Sequence, residues 1–251
     1  MNHLSASSID TFLRCPQQWA YRYVDGLKRP PSVAIVQGSS LHKAAEHNYA
    51  YKVETHEDLP TDEVLDVCRD AFMREAESVE DWEDSKPSTA LDETIGITSA
   101  YQTELAPTVQ PVHVEREIVL TDDTWRYPIL GYTDVEDEHR VIDIKTSGKK
   151  KSQADLDNSL QGGIYLLYRQ REGLPESMDW HVAVKTKTPG VQVLSRERVN
   201  HPHTVRFVAR VQEAIDVALE SGVFAPALPG SWHCSERFCG YWSICQCGGH
   251  S

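Results

Sequence analysis

Apolar positions recur every three to four residues from Ile9 through Phe12, Leu13, Trp19 and Ala20 to Tyr23, which predicts a helix over 5–24. Ser7 is a suitable N-cap with Asp10 three residues on, and Pro16 is expected to kink the helix just after Cys15. Lys-Arg-Pro-Pro at 28–31 breaks the pattern, and a second helix carrying Leu41, His42 and Ala45 is expected over 38–51. Two more are expected over 61–79 and 89–105. The period then shortens: 112–120 and 127–136 alternate or are β-branched around Thr-Asp-Asp at 121–123, and 140–145 reads as a short third strand. A helix over 153–171 puts Leu156, Leu160, Ile164 and Leu167 on one face. Residues 178–185 and 191–198 suggest a hairpin around Pro189-Gly190, and 202–219 has the apolar stripe of a long helix. This order predicts an α/β fold with a mixed central sheet flanked by helices.

The 251 residues, 40% hydrophobic and 25% charged, suffice for one large cored domain and exclude a disordered chain. No apolar run approaches the roughly 20 residues that span a bilayer, and the first residues lack a basic-then-apolar leader, so a cytoplasmic location is the default expectation and no membrane partner is expected. The net charge of −13 argues at first against a nucleic-acid partner. Its distribution reverses that inference. Between Glu54 and Glu93 there are 15 acids and 3 bases, while the remainder carries 23 acids and 22 bases. The acidity belongs to one segment, read as a solvated insert, and salt confines its field to about 10 Å.

The stretch richest in chemistry is Gly131-Tyr132-Thr133-Asp134, followed by Val141-Ile142-Asp143-Ile144-Lys145-Thr146-Ser147. In a strand, Asp143 and Lys145 project together while Ile144 points into the core, and Asp134 on the preceding strand can share their face. Two carboxylates converging in this way repel unless a hard divalent cation lies between them. A lysine beside that ion can orient water and steady charge growing on a phosphate, as metal-assisted phosphodiester hydrolysis requires.

With Gln161-x3-Tyr165 downstream, these motifs resemble the PD-(D/E)xK nucleases, and more narrowly their RecB-type branch, which includes CRISPR-adaptation exonucleases and phage recombination nucleases. The opening 4–16 is similar to that branch's first helix, Gly38-Ser39-Ser40-Leu41-His42 to its Gly-x3-His segment, and the tail to its iron–sulfur cysteine pattern. The resemblance implies a restriction-endonuclease-like core and a Mg²⁺- or Mn²⁺-dependent exonuclease on single-stranded DNA or a free end. It implies that Asp134, Asp143, His42 and the main-chain carbonyl of Ile144 bind the metal and that Lys145 acts on the attacking water. Gln161 and Tyr165, one helical turn apart, would touch the DNA backbone or support the site. Glu115 matches an acidic position of the family, although Glu117 shares its parity. Lys149, Lys150 and Lys151 are candidates to grip DNA, or else a solvated basic loop.

Cys234-x4-Cys239-x5-Cys245, with Cys15 from the other end, supplies four thiolates, which suits a [4Fe–4S] cluster or a structural zinc. Spacing leaves both open, and the resemblance selects the cluster. Cys247 departs from the family pattern, and Cys68 reads as a small core residue. The expected organisation is a single nuclease domain over 1–251. Within it, 1–30 contributes a cluster cysteine, 52–106 is the acidic helical insert, 112–200 the nuclease core, and 201–251 the last helix and iron–sulfur tail. No Walker motif is present, so a helicase or recombination partner would be another chain. The alternatives are a catalytically silent DNA-binding adaptor of the same fold and a zinc-stabilised endonuclease.

Overall fold

A computed structural model describes residues 1–82, 85–228 and 230–248; Glu83 and Asp84 of the acidic run lie outside the described residues. The helices are α1 (Ala6–Arg14), α2 (Pro16–Tyr23), α3 (Val33–Thr55), α4 (Thr61–Ala76), α5 (Pro87–Glu104), α6 (Gln153–Asp157), α7 (Leu160–Arg171) and α8 (His201–Ser221). The strands are β1 (His113–Leu120), β2 (Ile129–Glu136), β3 (Val141–Ser147), β4 (Ser177–Val184) and β5 (Gly190–Glu197), in the sheet order β1-β2-β3-β4-β5. The sheet is mixed as expected: β2–β3 and β4–β5 are antiparallel, and β3–β4 is parallel, with the α6–α7 segment between them in sequence.

Three expected helix boundaries are corrected. The helix over 5–24 is two helices, because Cys15 adopts an extended conformation and Pro16 starts α2. The N-cap is Ser5 and not Ser7: Ser5 Oγ accepts from the Ser8 amide at 3.1 Å while Ser8 Oγ accepts from the Ser5 amide at 2.9 Å. The helix over 153–171 breaks at Asn158-Ser159, where Ser159 caps α7 by accepting from Gly162 N. In addition, α3 starts five residues earlier than expected, with Ser32 as its cap.

The chain forms two compact units interleaved in sequence, one of residues 30–118 and 132–200, the other of 1–29, 119–131 and 201–251. In the first, α3, α4 and α5 pack together, and Leu41, Ala45, Tyr49, Ile97 and Tyr101 close over Val135, Ile142, Ile144 and Ala183 on one sheet face. His181, on that face, is pushed down to about 4 by burial and so stays neutral in the core. The opposite face takes α7. There a Cβ on Gly162 would come within 2.9 Å of Met178 Sδ and 3.2 Å of an Arg196 guanidinium nitrogen, so any larger residue would oblige those two flexible side chains to shift. The register pairs Asp143 with Trp180 and Lys145 with Val182, on the same side as Met178. Asp143 and Lys145 therefore face α7, and Ile144 faces the α3–α5 core.

In the second unit, α8 is fixed to the 119–131 segment by Gln212, whose Oε1 accepts from the Arg126 and Tyr127 amides at 2.6 and 3.0 Å. Trp19, fully buried, packs edge-on to Phe12 and against Phe224, and Tyr241 packs at a tilt against Tyr21 while donating to the Leu27 carbonyl.

Candidate active site

Asp134 stands where the paired register of β2 and β3, Val135 with Ile142 and Glu136 with Val141, gives out. Its Oδ2 accepts from the Ile144 amide at 2.7 Å, which fixes the carboxylate against the edge of β3. Its Oδ1 lies 3.3 Å from His42 Nδ1. α3 carries that imidazole to the sheet past Gly38, one turn earlier, where a Cβ would touch Thr146 Oγ1 at 3.4 Å. Burial lowers the His42 pKa, but the Asp134 hydrogen bond and the charges of Asp134 and Asp143 outweigh it and leave it raised.

Glu115 completes the group: one ligand atom each from His42, Glu115 and Asp134 lie within 4.8 Å of one another. The parity that left Glu115 and Glu117 indistinguishable is broken by the backbone. Glu115 has φ of 49°, a left-handed conformation inside a strand, which costs a non-glycine residue about 1–3 kcal/mol. Glu117 instead accepts from the Tyr132 hydroxyl at 2.7 Å. Burial, then Asp134 and Glu46, raise the Glu115 carboxyl.

Asp143 stands outside that three-residue group. It is buried, with Oδ1 accepting from Lys145 Nζ at 3.0 Å and Oδ2 2.7 Å from the same nitrogen without the alignment of a hydrogen bond. Burial pushes its carboxyl up to about 6 against the pull of Lys145, with Asp134 adding to the rise. Lys145 Nζ also donates to Gln161 Oε1 at 3.0 Å, Gln161 Nε2 donates to the Tyr165 hydroxyl at 2.9 Å, and that hydroxyl donates to the Tyr132 carbonyl at 2.6 Å. Gln161 and Tyr165 thus form a line of support behind Lys145. Tyr165 is 3% exposed, so the DNA contact expected of it does not fit its position. Lys149 and Lys150 lie exposed in the turn after β3, and Lys151 is held through its backbone by Gln192.

Cys15, Cys234, Cys239 and Cys245 line one cavity in the second unit. Cys15 sits at the joint of α1 and α2, its sulfur accepting from Gln18 N at 3.4 Å. Burial, then the neighbouring thiols, raise Cys234; for Cys239 burial leads, opposed by the Tyr241 amide. His233 lines the same cavity with a buried Nε2 that has no hydrogen-bond partner. Cys247 is exposed, and Cys68 is buried against Thr98 Oγ1.

The pattern of the PD-(D/E)XK nuclease superfamily matches residues 3–246. The chain belongs to that superfamily. A crystal structure from Eubacterium rectale, described as a putative exonuclease, shares the fold with a TM-score of 0.60 at 10% identity, over 94% of this chain and 87% of that one. No curated protein matches by sequence. The mixed sheet flanked by helices is consistent with a restriction-endonuclease-like core, and the family and site together support a metal-dependent nuclease acting on DNA. Among the described residues no helix is long and apolar enough to cross a membrane.

Proposed function

We propose that this chain is a deoxyribonuclease of the RecB-type branch that digests single-stranded DNA from an end, in recombination, repair or the processing of phage or CRISPR DNA. The observation that carries the reading is the meeting of the His42–Glu115–Asp134 group with the Asp143–Lys145 pair in one sheet. Two carboxylates and an imidazole within 4.8 Å fit a divalent cation with hard donors, with Asp143 and the Ile144 carbonyl as further ligands. Mg²⁺ or Mn²⁺ supplies Lewis acidity toward phosphate oxygens and eases deprotonation of water. Lys145 orients the attacking water and steadies charge growing on the phosphate. Gln161 holds the ammonium in place, and Tyr165 holds Gln161 with its oxygen toward Lys145. Lys149, Lys150 and Lys151 supply positive charge to the strand's backbone. A helicase or recombination protein is the partner this reading suggests.

The test is loss of 5′- and 3′-labelled single strands and duplexes with each cation. Cleavage of single strands from one end, stopped by chelator, is expected; DNA bound but uncut with every cation overturns the reading. Glu115→Gly checks the metal group separately. Relief of the left-handed strain, offset by glycine's entropy, is expected to leave stability unchanged or raise it by up to about 1 kcal/mol, while Mn²⁺ affinity falls at least about tenfold. Thermal unfolding with and without Mn²⁺ reads both, and lower stability without the metal contradicts the strain argument.

We read the cysteine cavity as the seat of a [4Fe–4S] cluster held by Cys15, Cys234, Cys239 and Cys245. Four cysteines around one cavity supply the thiolates that a [4Fe–4S] cluster takes, and the resemblance of the tail to the RecB-type cysteine pattern favours it over a structural zinc. The unpartnered His233 Nε2 gives that group a polar neighbour. Anaerobic preparations are expected to be brown, with about four irons per chain; zinc without iron overturns the assignment.

A further inference from the structure

Tyr132 is an exposed aromatic fixed at both ends. It lies two residues before Asp134 on β2, so its side chain leaves the strand on the same face about 7 Å away. Its carbonyl accepts from the Tyr165 hydroxyl at 2.6 Å, at the end of the line that supports Lys145. Its own hydroxyl donates to Glu117 at 2.7 Å. The residue is nevertheless 48% exposed, so neither core packing nor an open hydroxyl accounts for its placement. The chemistry left available is the face of the ring. Glu117 beside it repels a phosphate, whereas an uncharged planar base meets no such penalty. Two residues along a strand also match the reach from a phosphate to a neighbouring base.

We propose that Tyr132 is the stacking platform of the site, on which an unpaired nucleobase flanking the scissile linkage lies. This rests on the nuclease reading and deepens it by naming what the site recognises. A base inside a duplex has no free face to offer, so a single strand or frayed end is favoured. Because every base has a π-face, the contact carries little sequence preference.

Stacking of this kind contributes about 1–3 kcal/mol per base, or roughly 5- to 150-fold in binding. Steady-state digestion of a single-stranded oligonucleotide is therefore expected to show KM raised roughly 5- to 150-fold in Tyr132→Leu, with kcat within about threefold. Tyr132→Phe, which keeps the ring and loses only the tie to Glu117, is expected to stay within about threefold of wild type. Oligonucleotides with one abasic nucleotide stepped along the strand separate stacking from a structural role. At one position the abasic substrate should reproduce the KM defect in wild type and add nothing in Tyr132→Leu. Wild-type KM in Tyr132→Leu, or a defect equally large in wild type and variant wherever the base is removed, overturns the proposal. No cleavage by the wild-type protein overturns the nuclease reading instead, and the platform with it.

Discussion

Asp143→Asn is expected to abolish cleavage, by on the order of 10³-fold or more, and yet to make the metal-free protein more stable at neutral pH. Burial holds the folded-state carboxyl near 6, against 3.8 for the ordinary group. The folded protein therefore binds more protons than the unfolded chain between these values, and stability falls as pH rises from about 4 to about 6. Above that window the ionised carboxylate costs on the order of 3 kcal/mol, because each pH unit separating the two values is worth about 1.4 kcal/mol, and asparagine removes this cost. His181, with its depressed pKa, is common to both proteins and cancels in the difference. Denaturant unfolding in chelator should show the variant ahead at pH 7.5 and its advantage gone near pH 4. At a fixed cation concentration wild type should be stabilised more than the variant, which keeps His42, Glu115 and Asp134 but loses one ligand. Equal stability of the two proteins at pH 7.5 would show that Lys145 fully compensates the buried charge.

The largest expected loss of stability is at Arg169, which lies in no motif. Its side chain is 1% exposed, with Nε donating to the Pro175 carbonyl at 2.6 Å, Nη2 donating to the Glu138 carbonyl at 3.2 Å, and Nη1 3.9 Å from Glu136 Oε2. Glu136, equally buried, also accepts from Thr133 Oγ1 at 2.8 Å and Tyr168 Oη at 3.4 Å. Arg116 Nη1 also lies 3.9 Å from Glu136 Oε2, so Arg169→Met leaves that carboxylate one of its two cations but strands the Pro175 and Glu138 carbonyls, and is expected to lose about 2–4 kcal/mol, or roughly 10 °C in Tm. Adding Glu136→Gln should restore part of it. Additive losses in the double variant would show that the two groups act independently.

The difference between these two sites explains what is legible in the sequence. Asp143, Lys145 and Ile144 follow from strand alternation, and Gln161 and Tyr165 from the helical turn, so local period alone puts each on a face. The five strands and the Pro189-Gly190 hairpin follow for the same reason. Glu136 and Arg169 resemble solvated charges in a linear sequence, and only the packing of α7 against β2 and the loop after it buries them. Glu115 is ambiguous in sequence because its left-handed backbone breaks the alternation on which such a reading depends. Val33, Ile35 and Val36 resemble linker after two prolines, since the cap at Ser32 carries no apolar period of its own. The Ser5 cap escapes a sequence reading because its reciprocal partner is a serine where glutamate or glutamine is usual.

The interleaving of the two units orders events during synthesis. Once residue 200 has emerged, every part of the sheet-bearing unit is outside the ribosome, whereas the other still lacks α8 and three of its four cavity cysteines. Closing contacts between opposite ends of a chain is entropically slow and comes late. Cys15, whose sulfur caps α2 through Gln18, can have its local geometry prepared during that wait. On the cluster reading proposed above, loading of the cavity would therefore be a final, post-translational step, one that a chain clipped before Cys234 would be unable to take.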